Sequence, residues 1–126
     1  MAWYNTQRRE QRLEAAQLAK KAVEAASEKQ AADIILLDMR GVCNLADYFV
    51  ICSGESSRQV QAIAEEIDKA LLEDGVKPDR CEGDMDSGWM LLDYGDVIIH
   101  IFDSAMREYY RLEKLWGKAT PLVRIQ

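Results

Sequence analysis

The chain has 126 residues, 48% of them hydrophobic, and its 22 acidic against 16 basic side chains leave a formal net charge of −6. That length suits a single domain, expected over residues 1–126, and the apolar content supports one ordinary core and excludes a disordered chain. The acidic balance argues against gripping a phosphate backbone, where affinity rests on Lys and Arg displacing counterions, and so against sequence-specific nucleic-acid binding; it suits a basic protein partner.

No apolar run approaches the roughly 20 residues needed to cross a bilayer, the stretch Val97 to Phe102 being among the longest. The polar start, Met1 to Arg12, lacks the apolar centre of a secretory signal. Cys43, Cys52 and Cys81 are odd in number and have no C-x-x-C spacing, so neither a disulfide framework nor a zinc site is indicated. Buried free thiols in a reducing cytoplasm are the expectation.

The first element is an amphipathic helix over about Arg8 to Gln30. Ala15, Leu18, Ala19, Ala22, Val23 and Ala26 form one apolar stripe, with Gln17, Lys21, Glu24 and Glu28 turned toward solvent. A stripe made mostly of alanine allows close approach to a sheet. Strands follow at Ile34–Met39 and Tyr48–Cys52. The loop between them is too short for a helical crossover, so the pair should be antiparallel, and apolar residues on both faces put both inside a sheet.

Ser56-Ser57-Arg58-Gln59 matches a capping box, with Ser56 as N-cap and Gln59 reaching back to the Ser56 amide. The helix it opens carries the stripe Val60, Ile63, Ala64, Ile67 and Leu71, ends at Gly75, and is kept from resuming by Pro78. The passage is long enough for the chain to return in parallel. Trp89–Asp93 and Val97–Phe102 are two more strands, joined by a tight turn at Asp93-Tyr94-Gly95-Asp96. Ser104 or Asp103 can cap a last helix with a stripe of Met106, Tyr109, Leu112 and Trp116; Gly117 ends it and Pro121 precedes a short extended tail. The order α-β-β-α-β-β-α implies an α+β fold, a mixed sheet with helices packed against it in two or three layers.

Catalysis finds little to stand on. His100 is the single histidine and lies within the Val97–Phe102 strand, the setting of a packed structural residue; no G-x-S-x-G elbow is present. Glu82, Asp84, Asp86 and Asp93 fall at positions 1, 3, 5 and 12 of a calcium loop, but Ser87 stands where the turn needs glycine and Asp93 is short for the last ligand, so a solvated acidic loop is expected. A nucleotidyltransferase is the main enzymatic alternative, because Ser53-Gly54 leads from a strand onto a helix N-terminus. Its metal would need two carboxylates converging at i and i+2 on a neighbouring strand, where the chain offers Leu91 and Asp93. Asp93 and Asp96 straddle a turn, and Asp84 and Asp86 precede the apolar run. Trp89, at the head of its strand behind an acidic loop, can be read as core packing or as the anchor of a protein interface.

Five segments in order then carry a resemblance. They are Asp33–Met39, Asp47–Gly54 with Ser56–Val60, Glu82-Gly83, Gly88–Phe102 and Tyr109–Trp116. Over roughly Ala15 to Gly117 the chain resembles the ribosomal silencing factor, or Iojap-like, family, with the two ends outside the match. The resemblance implies a nucleotidyltransferase-like fold without the catalytic carboxylates, and a non-enzymatic role with no cofactor and no metal. It implies binding to the fourteenth protein of the large ribosomal subunit, on the face where the small subunit docks, so that joining is blocked and translation falls when nutrients are short. Organelle relatives are linked instead to large-subunit assembly. Carried over by position, Trp89 is the foremost contact, with Leu91 completing the apolar centre and Glu82, Asp93, Tyr94 and Asp96 chosen for charge or proximity. Asp38, Asp47 and Arg58 also match family positions but could equally fix loops and helix ends. Homodimerisation through part of the same surface is a further implication.

Overall fold

The computed structural model describes residues 14–84, 86–110 and 118–126. In chain order these residues form α1 (Ala15–Glu28), β1 (Ala32–Asp38), β2 (Tyr48–Gly54), α2 (Ser57–Leu72), β3 (Arg80–Asp84), β4 (Trp89–Asp93), β5 (Val97–Asp103), α3 (Ser104–Tyr110) and β6 (Thr120–Ile125). The six strands make one mixed sheet in the order β3-β4-β5-β2-β1-β6. The α+β architecture agrees with the sequence expectation, and β1 and β2 are antiparallel interior neighbours.

Two strands escape the sequence reading because they are edges. β3 (Arg-Cys-Glu-Gly-Asp) is exposed along its whole length and has no apolar face to reveal it, so the acidic loop expected there is in part a strand. β6 was expected as an extended tail; it pairs antiparallel with β1, and its register shifts next to Pro121. Proline cannot donate to a sheet ladder and is tolerated at such an edge. The passage through α2 does return in parallel: β3 is antiparallel to β4, β4 is antiparallel to β5 and β5 is parallel to β2, so β3 runs the same way as β2. The two are not neighbours, however; the strand that pairs with β2 in parallel is β5, reached only after β3 and β4.

The sheet is buried on both faces. On one, Ile34, Leu36, Val50, Cys52, Ile99 and Ile101 meet Leu18, Ala22 and Val23 of α1 and Val60, Ile63, Ile67 and Leu71 of α2. On the other, Ile35, Leu37, Phe49, Ile51, Leu91, Ile98 and Phe102 pack with Met39 and Ala46 of the β1–β2 loop, while Trp89 and Met106 of α3 join at the margin. The period-two alternation of each strand thus divides its side chains between two cores. The alanine stripe of α1 packs as expected, with Ala25 added to it. Lys21, expected in solvent, is half-buried and ion-paired with Asp74 beyond the end of α2. The first part of the predicted helix, residues 8–13, lies outside the described residues.

Helix ends are set locally, with one surprise. Ser56 Oγ accepts from the Gln59 amide at 3.1 Å, as the capping box requires. The Gln59 side chain, however, accepts from the Glu55 amide at 2.6 Å rather than that of Ser56, and its Nε2 donates to the carbonyls of Lys29 (3.1 Å) and Gln30 (3.0 Å). It therefore ties the start of α2 to the end of α1. Gly75, at φ 75°, closes α2: its amide donates to Leu72 O at 2.8 Å and that of Val76 to Leu71 O at 3.0 Å, the paired bonds of a Schellman ending. Of the two candidate caps for α3, Asp103 takes the role, its Oδ1 accepting from the Met106 amide at 2.8 Å. Leu112, Trp116, Gly117 and the Tyr109 side chain lie outside the described residues.

Candidate docking surface

Sheet register decides which candidate side chains share a face. Across β3, β4 and β5 the paired rows are Asp84–Trp89–Phe102, Glu82–Leu91–His100 and Arg80–Asp93–Ile98. Directly paired residues project to the same side. Glu82, Trp89, Leu91 and Asp93 therefore lie on the face turned away from α1 and α2, the face of Phe102 and Ile98. Leu91 is 8% exposed, a floor rather than a contact, and Trp89 is half-buried at the border of the apolar cluster. Glycine is required beside it. A Cβ on Gly83 would stand 2.2 Å from the Trp89 carbonyl oxygen and 2.9 Å from its ring, and φ is 76°. The acidic edge has an internal cation, since Arg80 bridges Glu82 and Asp93 at 3.2 Å each.

The other two candidates sit elsewhere. Tyr94 packs on the opposite, helix-covered face. Its hydroxyl is buried with no hydrogen-bond partner among the described residues, and burial, with smaller contributions from Asp68 and Cys81, raises its pKa above the ordinary tyrosine range. Asp96 is exposed at the hairpin tip, where its carbonyl accepts the amides of Asp47 (2.8 Å) and Tyr48 (3.0 Å). The structure thus gathers four of the six candidates on one face and leaves Tyr94 behind it. Arg80, Gly83 and Asp84 belong to the same edge, which the sequence did not reveal as a strand because it carries no periodic apolar signal.

The groups that could do chemistry are held in other ways. His100 is 9% exposed, with its ring 5.3 Å from Phe49 edge-on and 6.0 Å from Phe102 in a stack. Nδ1 has no hydrogen-bond partner among the described residues, and burial pushes the imidazole pKa down to about 4, so it is neutral near pH 7. Cys52 is buried on the helix face and its thiol is pushed up to about 12 by desolvation, too high for a nucleophile. It is the buried thiol expected from the sequence; Cys43 is half-buried and Cys81 is exposed. The carboxylates considered for metal binding are engaged locally: Asp93 Oδ1 accepts from the Gly95 amide and Asp84 Oδ1 from the Ser87 amide, both at 2.8 Å. Among the described residues no group of three or more His, Cys, Asp or Glu side chains is placed to hold a metal. Among the same residues no helix is long and apolar enough to cross a membrane.

An α+β sheet with a half-buried tryptophan beside an acidic edge matches known proteins closely. A profile described as "Ribosomal silencing factor during starvation" matches residues 12–126. The chain belongs to the ribosomal silencing factor family. The ribosomal silencing factor of Bacillus subtilis is 49% identical over 98 residues, covering 78% of this chain and 83% of that protein. That of Halalkalibacterium halodurans is 46% identical over 105 residues, covering 83% and 89%. The crystal structure of a Chromobacterium violaceum protein superposes with a TM-score of 0.80 at 37% identity, over 83% of this chain and 88% of that one. Membership resolves the enzymatic alternative, since the family consists of non-enzymatic regulators of translation. His100 and the Ser53-Gly54 turn are accordingly structural features of a silencing factor.

Proposed function

We propose that the chain docks the β3–β4 border of its sheet on a basic protein of the large ribosomal subunit, the fourteenth by the family resemblance, and so keeps the small subunit from joining. Trp89 is the apolar anchor, with Glu82 and Asp93 beside it and Asp96 at the hairpin tip as an acidic rim. Leu91 supports the anchor from below, and Tyr94 braces the hairpin from the helix side. The single observation that carries this reading is Trp89, a large aromatic left half-buried next to carboxylates. Buried aromatic anchors within a charged rim are what most often dominate interface energetics.

The mechanism is competition for a surface in the cytoplasm, with no cofactor and no turnover. The strand-to-helix turn at Ser53-Gly54 fits descent from a nucleotidyltransferase-like fold: a Cβ on Gly54 would lie 3.0 Å from the Val60 amide nitrogen, so the end of β2 packs closely on the start of α2. A homodimer built on the same border would compete with the ribosome. The test is a sucrose gradient of purified subunits with added protein. Co-migration with the large subunit and loss of joined ribosomes is expected; joined ribosomes undiminished at saturating protein would refute the reading.

A further inference from the structure

The β1–β2 loop, residues 39–47, is closed on itself. The Met39 amide donates to Asp47 O at 2.7 Å, and the amides of Val42 and Cys43 donate to Met39 O at 3.0 and 3.1 Å. Met39 and Ala46 are buried in the second face of the sheet, and Val42 and Cys43 pack against the same cluster. At its start Arg40 holds Asp38 through Nε (3.0 Å) and a terminal nitrogen (2.8 Å) and lies 5.4 Å over the Tyr48 ring. Between these anchors Leu45 points outward and is 70% exposed, the most exposed large apolar side chain among the described residues. The buried place beside it is taken by the smaller Ala46. Leaving a leucine outside forgoes the stabilisation its side chain would gain by burial. A lone exposed leucine on a surface is ordinary; a leucine held out by a loop closed at both ends, among carboxylates, calls for a cause.

Its surroundings indicate the partner. The amides of Asp47 and Tyr48 bind the Asp96 carbonyl, which fastens the loop to the β4–β5 hairpin. Asp79 joins the same end, its amide donating to the Asp93 carbonyl at 2.7 Å. Leu45 thus lies two residues before Asp47, at the end of the sheet where Asp96 is exposed and, farther across at the β3 edge, Asp79 as well. The loop packs on the same face as Trp89, toward the other end of β4 and at least two strands across the sheet, about 13 Å along the strands and about 10 Å across them. Two anchors so spaced fit within one face of a standard interface of about 800 Å² per partner.

We infer that Leu45 is a second apolar anchor of the docking surface, seated in an apolar socket ringed by Lys and Arg on the basic partner protein. This rests on the docking reading above and adds to it a contact outside the β3–β4 border. A second copy of the chain is the poorer occupant, because a two-fold contact here would bring the same aspartates face to face.

Leu45→Ser in the full chain tests it, by titration onto purified large subunits beside Leu45→Met, Trp89→Ala and the unmodified protein, with melting and size-exclusion runs on each. Leu45→Ser is expected to bind roughly tenfold or more weakly, the usual effect of losing an apolar anchor, with its melting temperature unchanged and Leu45→Met close to the unmodified protein. Binding by Leu45→Ser within twofold of the unmodified protein, while Trp89→Ala fails, overturns the Leu45 anchor and leaves the docking reading standing. A changed oligomeric state with intact subunit binding overturns it in favour of self-association. Failure of the unmodified protein to bind removes both.

Discussion

The sharpest physical consequence of the structure concerns His100. An imidazole with an ordinary pKa of 6.5 is pushed by burial to about 4, with Phe49 and Phe102 beside it and Nδ1 unpartnered. When pH falls below about 6.5 the unfolded chain takes up a proton at this residue and the folded chain does not, so folding stability must fall with it. The loss runs from about pH 6.5 to about pH 4, where the folded protein also protonates; above that window the stability is fully present. At about 1.4 kcal/mol for each pH unit the total is about 3 kcal/mol, a large share of the 5–15 kcal/mol that holds a typical domain. Since the chain has a single histidine, its ring protons give one unambiguous NMR titration. The folded-state midpoint should lie well below 5. Urea unfolding at pH 7 and pH 4.5 should show a stability loss that a His100→Phe variant lacks, which separates the histidine from the acidic groups. A midpoint near 6.5, or equal pH dependence in both proteins, would refute the buried environment of the ring.

Trp89→Ala should weaken large-subunit binding by about 2 kcal/mol, or thirtyfold. Because the ring is half-buried, the stability loss in a melting curve should fall short of the roughly 3–5 kcal/mol of a core tryptophan. Gln59→Ala removes one acceptor and the donor group that together join α1 to α2. It should cost about 1–2 kcal/mol, seen as a lower urea midpoint with unchanged slope, and Gln59→Glu, which keeps the acceptor alone, should recover only part. The rate of association with the isolated basic ribosomal protein should rise as salt is lowered, since charge steering acts on the encounter; stopped-flow rates indifferent to salt would leave the net charge of −6 without the role proposed for it.

Local rules were sufficient wherever the cause is local. The stripes of α1 and α2, the Ser56 cap, the Gly75 ending, the β4–β5 turn and the antiparallel β1–β2 pair are each written in a few neighbouring residues, and so was the family resemblance. The single histidine in an apolar strand was legible as a packed residue for the same reason. Tertiary structure decided the rest. β3 and β6 are strands only because β4 and β1 offer them hydrogen-bonding partners; their own side chains carry no apolar period, and β6 contains a proline. The second role of Gln59 depends on where the chain leaves α1, at Lys29 and Gln30, 30 and 29 residues earlier. Sequence proximity grouped Tyr94 with Trp89 and Asp93, but Tyr94 packs against the helix-face core and the other two lie on the opposite face. Leu45 could not be singled out from the sequence because what distinguishes it is not its type but its position: the chain on both sides is pinned, Ala46 has taken the interior, and the hairpin carbonyl of Asp96 that fastens the loop comes from far along the sequence.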